Sequence, residues 1–187
     1  MRLNDPLVTS IFFNDVEYPV DLSFDNVLDV FDVLASDMLL GDKIDTIIVY
    51  LFGEIDLEPH LRTELWMLVR DEHILLGGSN EPDLDELGNP MPSMPGRRSM
   101  DLQQDAKYIY ASFRQLNINL FEQQGKLTWA EFQAILESLP EDTIIQRIIQ
   151  IRNWQPSKGD SMQHKKKMKE LKQKYALAGT REEESDG

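Results

Sequence analysis

The sequence predicts a mainly α protein of the α+β class: an N-terminal β-hairpin packed on helices, then a helical bundle and a basic terminal helix. Three observations carry that expectation. Apolar residues recur at helical spacing through most of the chain. Start and stop signals bracket those runs: Ser23, Pro59 and Thr128 at starts, Gly53 and Pro140 at ends. Before them, two short β-branched and aromatic runs flank Asn14-Asp15, residue types that tolerate the positive φ of a tight turn.

The hairpin would pair Thr9–Phe13 with Val16–Val20, with Pro19 on an exposed edge. A lone hairpin is barely stable in water, so it is expected to lie on the helices that follow. Ser23 reads as the N-cap of a helix presenting Phe24, Val27, Leu28, Phe31, Ala35 and Met38 on one face, with Asp21, Asp25, Asp29 and Asp32 opposite. A second helix begins at Asp42, shows Ile44, Ile47, Ile48, Leu51 and Phe52, and stops at Gly53. The third starts near Pro59, shows Leu61, Leu65, Leu68 and Val69, and ends at Gly77-Gly78.

Between residues 77 and 99 the scattered glycines and prolines leave no periodic face to bury, so this stretch reads as a linker or mobile loop. A stripe of Ala106, Ile109, Tyr110 and Phe113 follows. Thr128-Trp129-Ala130-Glu131 has the form of a capping box, with Leu127 and Phe132 placed to staple across it. Trp129, Phe132, Leu136 and Leu139 would face inward until Pro140. The next helix carries Glu141 and Asp142 in its first turn and Arg152 near its end, and buries Ile144, Ile145, Ile148, Ile149 and Ile151. A last basic helix shows Met168, Leu171 and Tyr175, and the final REEESDG reads as frayed. The resulting division is 1–76 (hairpin and three helices), 77–99 (linker or loop), 100–155 (helical subdomain) and 156–187 (basic helix and tail).

With 187 residues and 41% hydrophobic content the chain can bury a sizeable core. It has no cysteine, which removes disulfides, thiol chemistry and Cys-ligated zinc. No apolar run reaches the about 18 residues of a membrane span. MRLNDPLVTS lacks the basic-then-apolar order of a secretory signal, so an intracellular soluble protein is expected. Charge is unevenly spread: residues 1–96 hold 4 Lys/Arg against 20 Asp/Glu, and 143–181 hold 10 against 2. Such asymmetry bears on solubility and association, within one chain or head-to-tail between copies, rather than on fold.

The residues do not compose a catalytic set. His60, His73 and His164 are the histidines, and the first two are too far apart along one helix to share a metal. The aspartate row has no EF-hand order and reads as a solvated face. No nucleophile motif or phosphate-cradling glycine loop appears, so no enzyme, cofactor or metal is expected. The run Lys165-Lys166-Lys167 could hold phosphates, yet it lacks interleaved aromatics in an acidic chain, which disfavours nucleic acid against an acidic protein surface. Nucleic-acid binding or regulation through this basic helix is the alternative reading. The packing or partner-binding candidates are Tyr110, Phe113, Trp129 and Phe132, with Tyr108, Trp154, Lys165, Lys166 and Lys167 as further contact residues.

Asp105-Ala106-x-Tyr108-Ile109-Tyr110-Ala111-x-Phe113, Leu127-x-Trp129-x-x-Phe132, Leu139-Pro140-Glu141-Asp142-Thr143 and Ile148-x-x-Ile151-Arg152 together resemble a family of siphophage and prophage proteins of Gram-positive hosts. Its members usually lie between the major tail protein and the tape-measure protein and are regarded as tail-assembly chaperones or as uncharacterised tail proteins. The front half is similar too, in its hairpin and in helices like Phe24–Met38 and Lys43–Phe52. Thr128 stands where such proteins often carry histidine, which removes an imidazole but keeps the cap. The resemblance implies a helical protein that coats the apolar tape-measure helix, or another tail protein, before the tube polymerises. Many weak copies along one chain would gain by avidity.

Overall fold

Asn14 and Asp15 set the first feature of the computed structural model, which describes residues 6–75 and 99–178. Both have positive φ, 49° and 61°, the signature of a type I′ turn. They join β1 (Ser10–Phe13) to β2 (Val16–Pro19), antiparallel with Ile11 opposite Tyr18 and Phe13 opposite Val16. Alternation buries Ile11 and Phe13 and turns Phe12 outward. Tyr18 meets the Phe52 ring edge-on at 6.4 Å, and the Asp21 N–H bonds the Leu51 carbonyl, so the hairpin lies on the helix that follows.

The described residues form two compact units. The first comprises residues 6–75 and 121–137. It contains the hairpin, α1 (Phe24–Ala35), α2 (Leu40–Phe52), α3 (Pro59–Val69) and α5 (Trp129–Glu137). α1 buries Phe24, Val27, Val30 and Val33, an arc turned from the expected one; Leu28 and Phe31 are half-buried, and Ala35 and Met38 are exposed. The reason is that α1 has two partners, α2 and α5, so its apolar side must be wide. Ser23 occupies the N-cap position, but its hydroxyl is buried without a hydrogen-bond partner and caps nothing. Instead Ser23 bridges to Thr128: Phe24 N–H donates to the Leu127 carbonyl and Trp129 N–H to that of Leu22. α2 begins at Leu40, two residues before Asp42, and buries the isoleucine stripe as expected. It ends where Gly53, at φ 73° and ψ −159°, donates its N–H to Val49. α3 does not run on as α-helix: after Val69 the chain widens into a π-helical turn, Arg70–Ile74, closed by Leu75 N–H on the Arg70 carbonyl. The end expected at Gly77-Gly78 lies outside the described residues, as does most of the 77–99 segment.

The second unit comprises residues 99–120 and 138–178, with α4 (Ala106–Gln115), α6 (Ile144–Asn153) and α7 (Met162–Lys174). α4 buries Ile109, Ser112 and Phe113, whereas Ala106 is exposed. α6 starts after Glu141 and Asp142 rather than on them. Thr143 Oγ1 and N–H both bond the Pro140 carbonyl, and this turn consumes the residues expected to open the helix. α6 buries Ile145 and Ile148 fully; Ile144, Ile149 and Ile151 are half-buried. α7 packs against α6 and buries none of its residues completely.

Candidate functional site

In the first unit the capping box forms as its spacing predicts. Glu131 Oε2 accepts from Thr128 N–H at 2.9 Å and from the Thr128 hydroxyl at 2.7 Å, and Thr128 Oγ1 accepts from Glu131 N–H at 3.3 Å. This start fixes the direction of Trp129 and Phe132. Phe132 stacks on Phe24 at 5.1 Å and on Trp129 at 5.5 Å, while Phe31 meets Trp129 edge-on at 5.4 Å. The indole N–H ends on the Ile74 carbonyl at 2.9 Å, so the π-helical turn satisfies the buried donor. Both rings are buried, which makes them core.

Unit two is organised by a charge pair that the linear sequence leaves unmarked. Arg152 forks onto Asp105, Nη1 to Oδ2 at 2.6 Å and Nη2 to Oδ1 at 2.7 Å. Its Nε donates to the Tyr175 carbonyl and Nη1 also to that of Ser99. Asp105 accepts further from Asp101 N–H. The Arg152 and Asp105 side chains are 9% and 1% exposed, so this is a buried, satisfied hub joining the start of α4, the end of α6 and the end of α7. Beside it, buried Ser112 takes the free first-turn N–H of Ile145 and donates to Tyr108. Phe113 is wholly buried. Tyr110 is half-buried with its hydroxyl 3.4 Å from Asn119 Oδ1. Tyr108 meets Tyr175 edge-on at 6.0 Å, with Lys107 Nζ over its ring. Trp154 meets the His164 ring at 6.0 Å, and its carbonyl takes Lys172 Nζ.

The aromatic candidates therefore do not converge on one surface: Trp129 and Phe132 serve one core, Phe113 the other, and Tyr108, Tyr110 and Trp154 have partners inside unit two. On α7, Lys165 is partly covered, and Lys166 and Lys167 are exposed.

Surface residues that the periodicity did not single out are more suggestive. On the hairpin arm Leu7, Val8, Phe12 and Val16 are exposed, Phe12 at 69%. Strict alternation around buried Ile11 and Phe13 was the available signal for Phe12. On α2 and the turn before it Leu39, Val49 and Tyr50 are exposed, off the isoleucine stripe. Asp25, Asp29 and Asp32 stay on the outer side of α1; burial, then the neighbouring Asp32 and Asp25, raises the Asp29 pKa. Among the described residues no group of three or more His, Asp or Glu could hold a metal, and no helix is long and apolar enough to cross a membrane.

The family model described as bacteriophage Gp15 protein matches residues 3–177. The chain belongs to that family. It is a phage protein, and the match takes in both units. No curated protein and no solved structure matches it.

Proposed function

We propose that this phage protein works without bond chemistry, as a tail-assembly chaperone-like protein that binds and solubilises the tape-measure protein in the host cytoplasm. The observation that carries the reading is the apolar arm of the hairpin. Leu7, Val8, Phe12 and Val16 are large and exposed on one short arm, Phe12 on its outer face and Val16 on the face of its partner Phe13, and soluble proteins reserve clustered apolar surface for partners. A tape-measure helix presents a matching apolar stripe, and helix-on-surface docking masks both. Two further points support it: the residues that carry the sequence resemblance are spread over both units, and the buried charges of unit two are spent on structure, since the Arg152–Asp105 pair is satisfied within the chain.

The test is co-expression with the tape-measure protein of the same phage. The expected result is a higher soluble yield of that protein and its co-purification, both reduced by F12S/V16T. An unchanged yield with no co-purification refutes the proposal. A second reading, nucleic-acid binding through α7, rests on the exposed Lys166, Lys167, Lys169 and Lys174. It predicts DNA affinity that falls steeply with salt, and no binding at low salt removes it.

A further inference from the structure

We infer that the outward face of α2 is a docking site for α7 of a second copy of this chain, so that the protein associates head to tail. α2 buries Ile44, Ile47, Ile48 and Leu51 in unit one, and among the described residues a second stripe stays exposed. Leu39, just before the helix, is 76% exposed, and Val49 and Tyr50 are exposed about three turns further along that side. Asp42 and Asp45 stand exposed between them. The one lysine of this helix, Lys43, is drawn away onto the Leu34 carbonyl at 2.7 Å, and Asp45 shares its charge with Arg62. The face is thus apolar at its two ends with two carboxylates between them.

α7 supplies the complement. Its half-buried side, Lys165, Met168, Leu171, Lys172 and Tyr175, is turned to its own unit. The other side carries exposed Lys166, Lys167, Lys169 and Lys174 against Glu170, and Met162 stands 83% exposed at its start. Lysine stems cover apolar surface while their ammonium groups reach nearby carboxylates, so this side suits Asp42 and Asp45 set between Leu39 and the Val49–Tyr50 pair. Both helices have 13 residues, and so run the same length.

The complementarity extends to the units. The described residues of unit one carry 18 Asp/Glu against 4 Lys/Arg, a net of −14, and those of unit two carry 11 Lys/Arg against 6 Asp/Glu, a net of +5. Two different surfaces meeting in this way make a heterologous contact, which adds copies in an open chain or closes them into a ring. The inference concerns the protein alone and stands apart from any tape-measure partner.

Sedimentation velocity of the full chain tests it. At about 0.05 M NaCl the mean mass should rise steadily with concentration, and at about 0.5 M NaCl the rise should be largely lost to screening. K166Q/K167Q/K169Q and L39S/D42N/V49S should each weaken association by about tenfold or more, with unchanged far-UV circular dichroism confirming the fold. Mixing these two variants leaves one intact α2 face and one intact α7, so a complex that stops at two chains should appear. A single monomeric species at every concentration overturns the inference, as does growth that survives the α7 variant, or a mixture without the two-chain complex. DNA retention lost in the α7 variant while the protein stays monomeric would give those lysines to nucleic acid and also overturn it.

Discussion

Removing the Arg152 guanidinium should be among the most damaging single changes available in the second unit. In Arg152→Ala, Asp105, only 1% exposed in the folded chain, loses both guanidinium donors and keeps the Asp101 N–H. The Ser99 and Tyr175 carbonyls lose a donor as well. Breaking one side of a buried pair costs about 3–5 kcal/mol, against a total stability of about 5–15 kcal/mol for an ordinary domain. Hydrogen exchange is the assay: amides of α4 and α6 that open with this unit should exchange about 10²–10³-fold faster, since each 1.4 kcal/mol is about a factor of ten. Arg152→Lys keeps the charge but cannot fork, so an intermediate loss is expected. D105L/R152M, which replaces the pair by apolar groups of similar size, should recover much of the loss. A cost below about 1 kcal/mol for Arg152→Ala, the range of solvent-exposed pairs, would refute the reasoning.

Gly53→Ala should cost about 1–3 kcal/mol in chemical denaturation, because φ 73° with ψ −159° is a region that only glycine enters freely. Thr128→Ala removes one half of the capping box and should cost about 1 kcal/mol, read as a lower melting temperature; Thr128→Ser should restore most of it. Phe132→Ala opens a cavity between Phe24 and Trp129 and should cost about 3–5 kcal/mol, with a shifted tryptophan emission. Asp29 binds a proton more readily folded than unfolded, so its ionisation opposes folding as pH rises past the ordinary 3.8. Asp29→Asn should therefore stabilise the protein slightly at neutral pH, and the gain should vanish on acidification below that value; a gain unchanged by acid would contradict the account by burial and neighbouring carboxylates.

What could be read from the chain was what local chemistry decides. The Asn14-Asp15 turn, the Gly53 stop and the Thr128–Glu131 cap each depend on residues within a few positions, and each formed. The isoleucine stripe of α2 was legible because that helix buries a single side. α1 was misread because it packs between two partners, and periodicity reports the width of a stripe only when one neighbour covers it. Ser23 failed as a cap because its backbone is engaged by the segment around Thr128, over 100 positions away. Asp105 and Arg152 lie 47 residues apart, and the place of Arg152 near its helix end gave no sign of its partner. Phe113, Trp129 and Phe132 are buried, and their division between two different cores had no sequence signal.

The position of α5 has a consequence for how the protein is made. Trp129 reaches back 55 residues to the Ile74 carbonyl, so the hairpin and the first three helices leave the ribosome well before their last core element. At about 5–20 residues per second that gap lasts roughly 3–10 s, during which Phe24 and Phe31 have no aromatic cover. The N-terminal unit therefore completes its core only after much of its neighbour's chain has been synthesised, and a nascent chain interrupted ahead of Trp129 would present those phenyl rings to the folding machinery of the host.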